Sequence, residues 1–313
     1  MINKSQHRNL NRQDLSRSFS KLSIALAMCI ALQNIAIPII DIICVSINPL
    51  FLYNPWYRWM SIYVPLILVS FPIVWLFFRE IPKYCITEKH KLSCHEFIVI
   101  TLICFGLIYS LSYVTQLVIS LLYALTDTSS HYTVPTSFPI INITSNLLFG
   151  VIIVPIFEGL FFRKLIISRL IILGERFAIV ISAMLFSLFH TNIFQFVSSY
   201  IIGLILSYVY LKTGQIKQSI FLHSILNLFS FVIAPFLLTL EDIGTPILLL
   251  WIVSSMIASI TLLVMNRKKI NIDYGIGIIR ESQKISMFLR TPGFICYLIL
   301  CLSISLAYVF EFI

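Results

Sequence analysis

Apolar residues along this chain come in long blocks separated by short polar connections. A membrane-crossing helix needs roughly 20 mostly apolar residues, and by that measure the pattern predicts nine spans: 22–47, 59–78, 97–124, 141–162, 177–195, 196–212, 218–240, 246–265 and 292–312. The first block follows a basic stretch (Lys4, Arg8, Arg12, Arg17, Lys21) and has no small-residue cleavage site, so it reads as a retained anchor and not as a removed signal peptide. No internal repeat stands out, and the connections are too short to fold alone. The fold class expected is an all-α polytopic helical bundle. It divides into a cytoplasmic basic tail (1–21), N-terminal spans (22–140), a four-helix core (141–240) and C-terminal spans (241–313).

Composition supports the bundle. Hydrophobic residues make up 59% and charged residues 11% of the 313 positions, whereas soluble domains carry roughly 45–50% and about 25%. The charge pattern then orients it. Lys and Arg number 22 against 13 Asp and Glu. All the cations except Arg58 lie in 1–21, 79–96, 163–176, 212–217 and 266–290, which are alternate connections. The opposite connections hold Asp127, Glu241 and Asp242 and little other charge. By the positive-inside rule the N-terminus is cytoplasmic and the C-terminus outside. The net charge of +9 therefore marks topology and not a nucleic-acid partner. The Ile-, Ser- and Asn-rich composition places the chain in a bacterial plasma membrane.

Seven cysteines include no C-x-x-C pair. Cys85 and Cys94 share a polar loop with His90 and His95, but the spacing fits no standard zinc pattern, so the loop reads as solvated.

Charged side chains inside a span cost several kcal/mol and mark function by default. The candidates are Asp41, Glu158, Arg163, His190, His223 and Asn227, and all but Asp41 fall within four consecutive spans. Asp41, with Gln33 and Asn34 in the same span, reads as a packing contact or an interfacial group. Glu158 is near the cytoplasmic end of its span if the helix stops at Arg163. It is deep if the helix runs on through 165–172 to a turn at Gly174. The longer helix is preferred, because Glu158 lies 16 residues before Gly174 and His190 lies 16 after it. Two antiparallel helices joined there hold both side chains at one depth. His223 and Asn227, at i and i+4, share one face of the next-but-one helix.

Such a set suits amide or ester hydrolysis. A buried carboxylate takes a proton from water, a neutral His holds that water, and His plus an Asn amide offer two donors to an oxyanion. No Ser or Cys stands in a nucleophile context such as G-x-S-x-G. Two His and a Glu are also typical zinc ligands; lacking H-E-x-x-H, the reading here is free of metal and cofactor. A lone polar residue in a span is commonly interhelical glue, but four of them are more than glue requires.

These residues resemble the CPBP (CAAX protease and bacteriocin-processing) group, also called Abi, of glutamic-type intramembrane proteases. Its E-E-x-x-x-R motif is matched by Glu158 and Arg163, F-x-x-x-H by Phe186 and His190, and H-x-x-x-N after a T-G-x-I turn by His223 and Asn227. The resemblance covers about 140–235. It implies that Glu158 activates water, that His190 helps hold it, and that His223 and Asn227 form the oxyanion site. It also implies a cavity open to the cytoplasm and a membrane-associated peptide or protein substrate. Arg163 and Phe186 are supporting residues. Bacterial members are linked to bacteriocin processing, self-immunity or membrane-protein regulation. One position departs: the second motif Glu is Gly159 here. If that Glu partners the motif Arg, Arg163 has lost its partner. Arg163 is then open to turn toward Glu158, but at about 100° per residue positions 158 and 163 lie about 140° apart, so direct pairing needs long side chains and some bending. Two competing readings remain, a non-catalytic immunity or peptide-binding protein on the same fold and a proton-coupled carrier. Repeated halves, the usual mark of a carrier, are not seen.

Overall fold

The computed structural model describes residues 11–87, 89–125, 143–269, 272 and 280–311. Asp127, Lys4 and Arg8 lie outside them. Among the described residues the regular structure is all helical, with no strand. The helices used below are α1 (Arg12–Ile47), α2 (Pro55–Phe78), α3 (Cys94–Leu125), α4 (Ile143–Leu173), α5 (Glu175–Phe189), α6 (Ile193–Thr213), α7 (Ile216–Leu238), α8 (Glu241–Asn266), α9 (Glu281–Leu289) and α10 (Pro292–Glu311).

Among the described residues, seven helices are long and apolar enough to cross a membrane, and an eighth span results if α9 and α10, bent by 67°, count as one. The expected span 177–195 differs most. Its helix, α5, has 15 residues, about 22 Å at about 1.5 Å per residue, which is short of the roughly 30 Å hydrocarbon layer. The chain is therefore an all-α, multi-pass bundle.

Contacts divide it into two units. The first holds residues 1–85 and 276–304. In it Asp41 accepts a hydrogen bond from the Tyr57 hydroxyl at 2.5 Å, a contact between α1 and α2. The carboxyl of Glu80, just past α2, pairs with Lys21 at 2.6 Å, and that bond holds it below the usual carboxylate range.

The second unit, 86–275 and 305–313, contains α3 to α8. One face of α7 (Leu222, Leu226, Phe229) packs into a buried cluster with Cys104 and Phe105 of α3 and Leu206 and Val209 of α6. The Ser219 hydroxyl donates to the Leu206 carbonyl at 2.9 Å, which ties α7 to α6 again. The opposite face of α7 carries Ile220, His223 and Asn227.

α4 runs unbroken to Leu173, the longer of the two helices considered from sequence. Gly174 then turns the chain at φ 113°, a backbone angle suited to glycine. α5 returns antiparallel. Phe162 packs edge-on against Phe186 at 5.2 Å, and the Ser182 hydroxyl donates to the Phe162 carbonyl at 2.8 Å.

Two parts of α4 are wound more loosely than an α-helix, with i→i+5 backbone turns, over Asn146–Ile153 and Gly159–Ile167, and α7 has another over Phe229–Ile233. Such turns gather at functional sites and free carbonyls from the i→i+4 ladder.

Candidate active site

Glu158 sits between the two loose stretches of α4 and is 8% exposed. α7 brings His223, 7% exposed, against it, with His223 Nε2 and Glu158 Oε2 3.7 Å apart. That is an ion-pair distance and too long for a hydrogen bond. Glu158 Oε2 and His223 Nδ1 are both buried without a hydrogen-bond partner among the described residues.

His190 reaches the same place from α5. Its Nδ1 is 2.9 Å from the Phe186 carbonyl, which leaves Nε2 as the free ring atom. His190 ends α5 and does not sit within a continuous span as the sequence suggested, because the chain breaks there. Thr191 adopts φ 46°, a left-handed conformation rare for a β-branched residue, and Asn192 caps α6 by accepting from the Phe194 amide at 2.9 Å.

Arg163 is 1% exposed. Its guanidinium lies over the Phe186 ring, 4.2 Å from the centroid. Phe186 also touches His190 edge-on at 4.7 Å and His223 at 6.1 Å. One aromatic ring thus braces three polar side chains from three helices.

The loose turn over Gly159–Ile167 supplies the bending that an ideal helix lacks, and it brings Arg163 to the Glu158 backbone but not to its carboxylate. An i→i+5 turn sets residues five apart over one another, and Arg163 Nη1 donates to the Glu158 backbone carbonyl at 3.3 Å. The guanidinium makes no ion pair with the Glu158 carboxylate, and Arg163 Nε and Nη2 are buried without a partner among the described residues.

Asn227 is placed one turn beyond His223. Its Nδ2 donates to the Gly150 carbonyl in the first loose stretch at 2.8 Å, which commits one amide hydrogen and leaves the second. Asn146 repeats the device further along, donating to the Phe231 carbonyl at 3.0 Å. The Asn146 contact was absent from the sequence reading, as was Ser182. Nothing in a single sequence distinguishes a polar residue that bonds across helices from one that bonds to its own.

The structure therefore brings Glu158, Arg163, Phe186, His190 and His223 together and sets Asn227 one turn beyond His223 against the Gly150 carbonyl, while Asp41 is bonded to Tyr57 in the first unit. Among the described residues, no group of three or more His, Cys, Asp or Glu side chains could hold a metal ion. The polar loop with Cys85, Cys94 and His95 leaves both cysteines exposed.

No curated protein and no solved structure matches the chain. Residues 140–229 match a family model described as type II CAAX prenyl endopeptidase Rce1-like, under a third of the chain. That stretch contains all six residues of the site, so the likeness to the CAAX prenyl endopeptidase model falls on the part of the chain that holds them.

Proposed function

We propose that this chain is a CPBP-type intramembrane endopeptidase that hydrolyses a membrane-associated peptide or protein by Glu-activated water. The observation that carries the reading is the buried Glu158–His223 pair at 3.7 Å, with His190 and His223 both against the Phe186 ring.

Water held by the Glu158 carboxylate and His190 Nε2 gives a proton to Glu158, and its oxygen attacks the carbonyl carbon of the scissile bond. His223 Nε2 faces Glu158, so the unpartnered Nδ1, in the tautomer that carries the proton there, donates to the developing oxyanion. The second Asn227 amide hydrogen is the other donor. Glu158 then returns its proton to the nitrogen as the C–N bond breaks. Arg163 holds the Glu158 backbone and supplies a counter-charge. No metal or cofactor enters this scheme, and nucleic acid is not a partner. A bacterial plasma membrane with a cytoplasmic N-terminus, and a role in bacteriocin processing or self-immunity, complete the proposal.

The test compares peptide ends by mass spectrometry in membranes holding wild type or Glu158→Gln at matched expression. Ends that vanish with Glu158, a loss on the order of 100-fold or more, are expected and identify the substrate. Unchanged ends, with the wild-type phenotype kept by the variant, overturn the catalytic reading in favour of a binding protein.

A further inference from the structure

Gly159 offers no functional group, yet it stands beside the carboxylate at the centre of the site. It is also a point of close approach between α4 and α7. A Cβ built on Gly159 would lie 2.5 Å from Ile220 Cγ1 and 3.2 Å from Ile220 Cδ1. Side-chain carbons do not approach to 2.5 Å, so any other residue at 159 forces a movement.

Ile220 is poorly able to provide it. Cγ1 hangs directly on Cβ, and a β-branched side chain in a helix keeps one χ1 rotamer about 90% of the time. The helix behind it is held as well, by the Ser219 bond to Leu206 and by Leu222 and Leu226 in the buried cluster. The remaining response is for α7 to move away from α4. Ile220 and His223 are i and i+3 on one face, so His223 moves with it.

We infer that the Gly159–Ile220 contact is the spacer that sets the Glu158–His223 separation, so that Gly159 and Ile220 are positioning residues. The catalytic half of this inference rests on the peptidase reading above. A methyl group at 159 opens the helix pair by about 1 Å, and a displacement of that size costs about 100-fold in rate. A larger side chain there does not fit beside Ile220, whatever its charge.

Four full-length variants test this by cleavage at the Glu158-dependent ends, with kcat and KM separated. Gly159→Ala is expected to lower kcat about 100-fold with little change in KM. Adding Ile220→Val keeps a methyl at the clashing position and restores nothing. Adding Ile220→Ala removes it and returns activity to within about tenfold of wild type. Ile220→Ala alone takes the spacer away and is expected to lower kcat by about tenfold, less than Gly159→Ala does, with little change in KM. Gly159→Ala as active as wild type, or rescue by Val equal to that by Ala, overturns the inference.

A second experiment needs no activity. The added Cβ would stand 3.8 Å from Ile220 Cβ, about the mean Cβ–Cβ distance of a disulfide. The Gly159→Cys/Ile220→Cys protein should therefore cross-link on mild oxidation in membranes, read by peptide mass mapping. No cross-link refutes the contact itself, whether or not the chain is a peptidase. A cross-link without Glu158-dependent cleavage in wild type keeps the contact and overturns its catalytic role together with the peptidase reading.

Discussion

Two buried charges that share a site without touching make a measurable prediction. Glu158 and Arg163 are 8% and 1% exposed, and each interacts electrostatically with the other. Arg163 Nε and Nη2 and Glu158 Oε2 lack hydrogen-bond partners among the described residues. No ion pair forms between them, and opposite unit charges just beyond that contact range, about 5 Å apart, attract by about 3 kcal/mol at an effective dielectric constant of about 20. Arg163→Met forfeits that attraction, the Phe186 stacking worth about 1–2 kcal/mol and the bond to the Glu158 carbonyl worth about 1.5 kcal/mol. It also removes two buried unpartnered N–H groups, a gain of about 1–3 kcal/mol each. In wild type the net loss is about 2 kcal/mol. In a Glu158→Gln background the attraction is already gone, and Arg163→Met becomes neutral or stabilising by about 1 kcal/mol. The coupling energy of the double-mutant cycle is thus about 3 kcal/mol, read from denaturant unfolding of the four proteins in detergent micelles. Effects that add to within about 0.5 kcal/mol, as independent sites do, would refute the idea that these charges compensate each other.

The two asparagines separate structure from chemistry. Asn146→Ala and Asn227→Ala each lose one interhelical bond of similar length and should each cost about 0.6–2 kcal/mol of stability. Only Asn227→Ala should also lower kcat, by about 100-fold; equal activities would remove Asn227 from the oxyanion site. Thr191→Asn, at a left-handed backbone position that Asn tolerates, should raise stability by about 1 kcal/mol, and a lower melting temperature would show that the Thr side chain is needed there. Lys21 holds the Glu80 carboxyl below its ordinary range, so this contact contributes at neutral pH and is lost as pH falls through the folded-state value. Lys21→Ala should bring the Glu80 titration back to the ordinary carboxylate range, seen by NMR.

How much of this was legible depended on which physical rule governed each part. Long apolar blocks gave the bundle, because hydrocarbon leaves few alternatives to a helix. The equal distance of Glu158 and His190 from Gly174 gave the antiparallel hairpin, and the Phe162–Phe186 contact shows that register. The break after Phe189 was hidden, since Thr191 carries no sign of a left-handed turn. The loose winding of α4 was hidden too. Arg163 reaches the Glu158 carbonyl only because of it, and periodicity assumes a uniform helix. The Gly159–Ile220 contact requires knowing which faces of α4 and α7 meet, and one sequence does not hold that information.

The shortness of α5 bears on supply as well as on shape. Hydrolysis consumes one water per bond cut, and water is the scarcest reagent in hydrocarbon. A helix of 15 residues that begins at the polar Gly174–Arg176 turn ends about 8 Å short of the far side of a roughly 30 Å layer. Backbone that leaves the helix at such a depth is tolerated only inside protein or along a water-filled cavity. Thr191 and Asn192 are half-buried, so part of this break faces outward, immediately next to His190. The early end of one helix thus puts non-helical backbone next to His190, and on the peptidase reading proposed above that is where the water consumed at Glu158 would enter, so the bilayer's intolerance of bare backbone would keep the site wet.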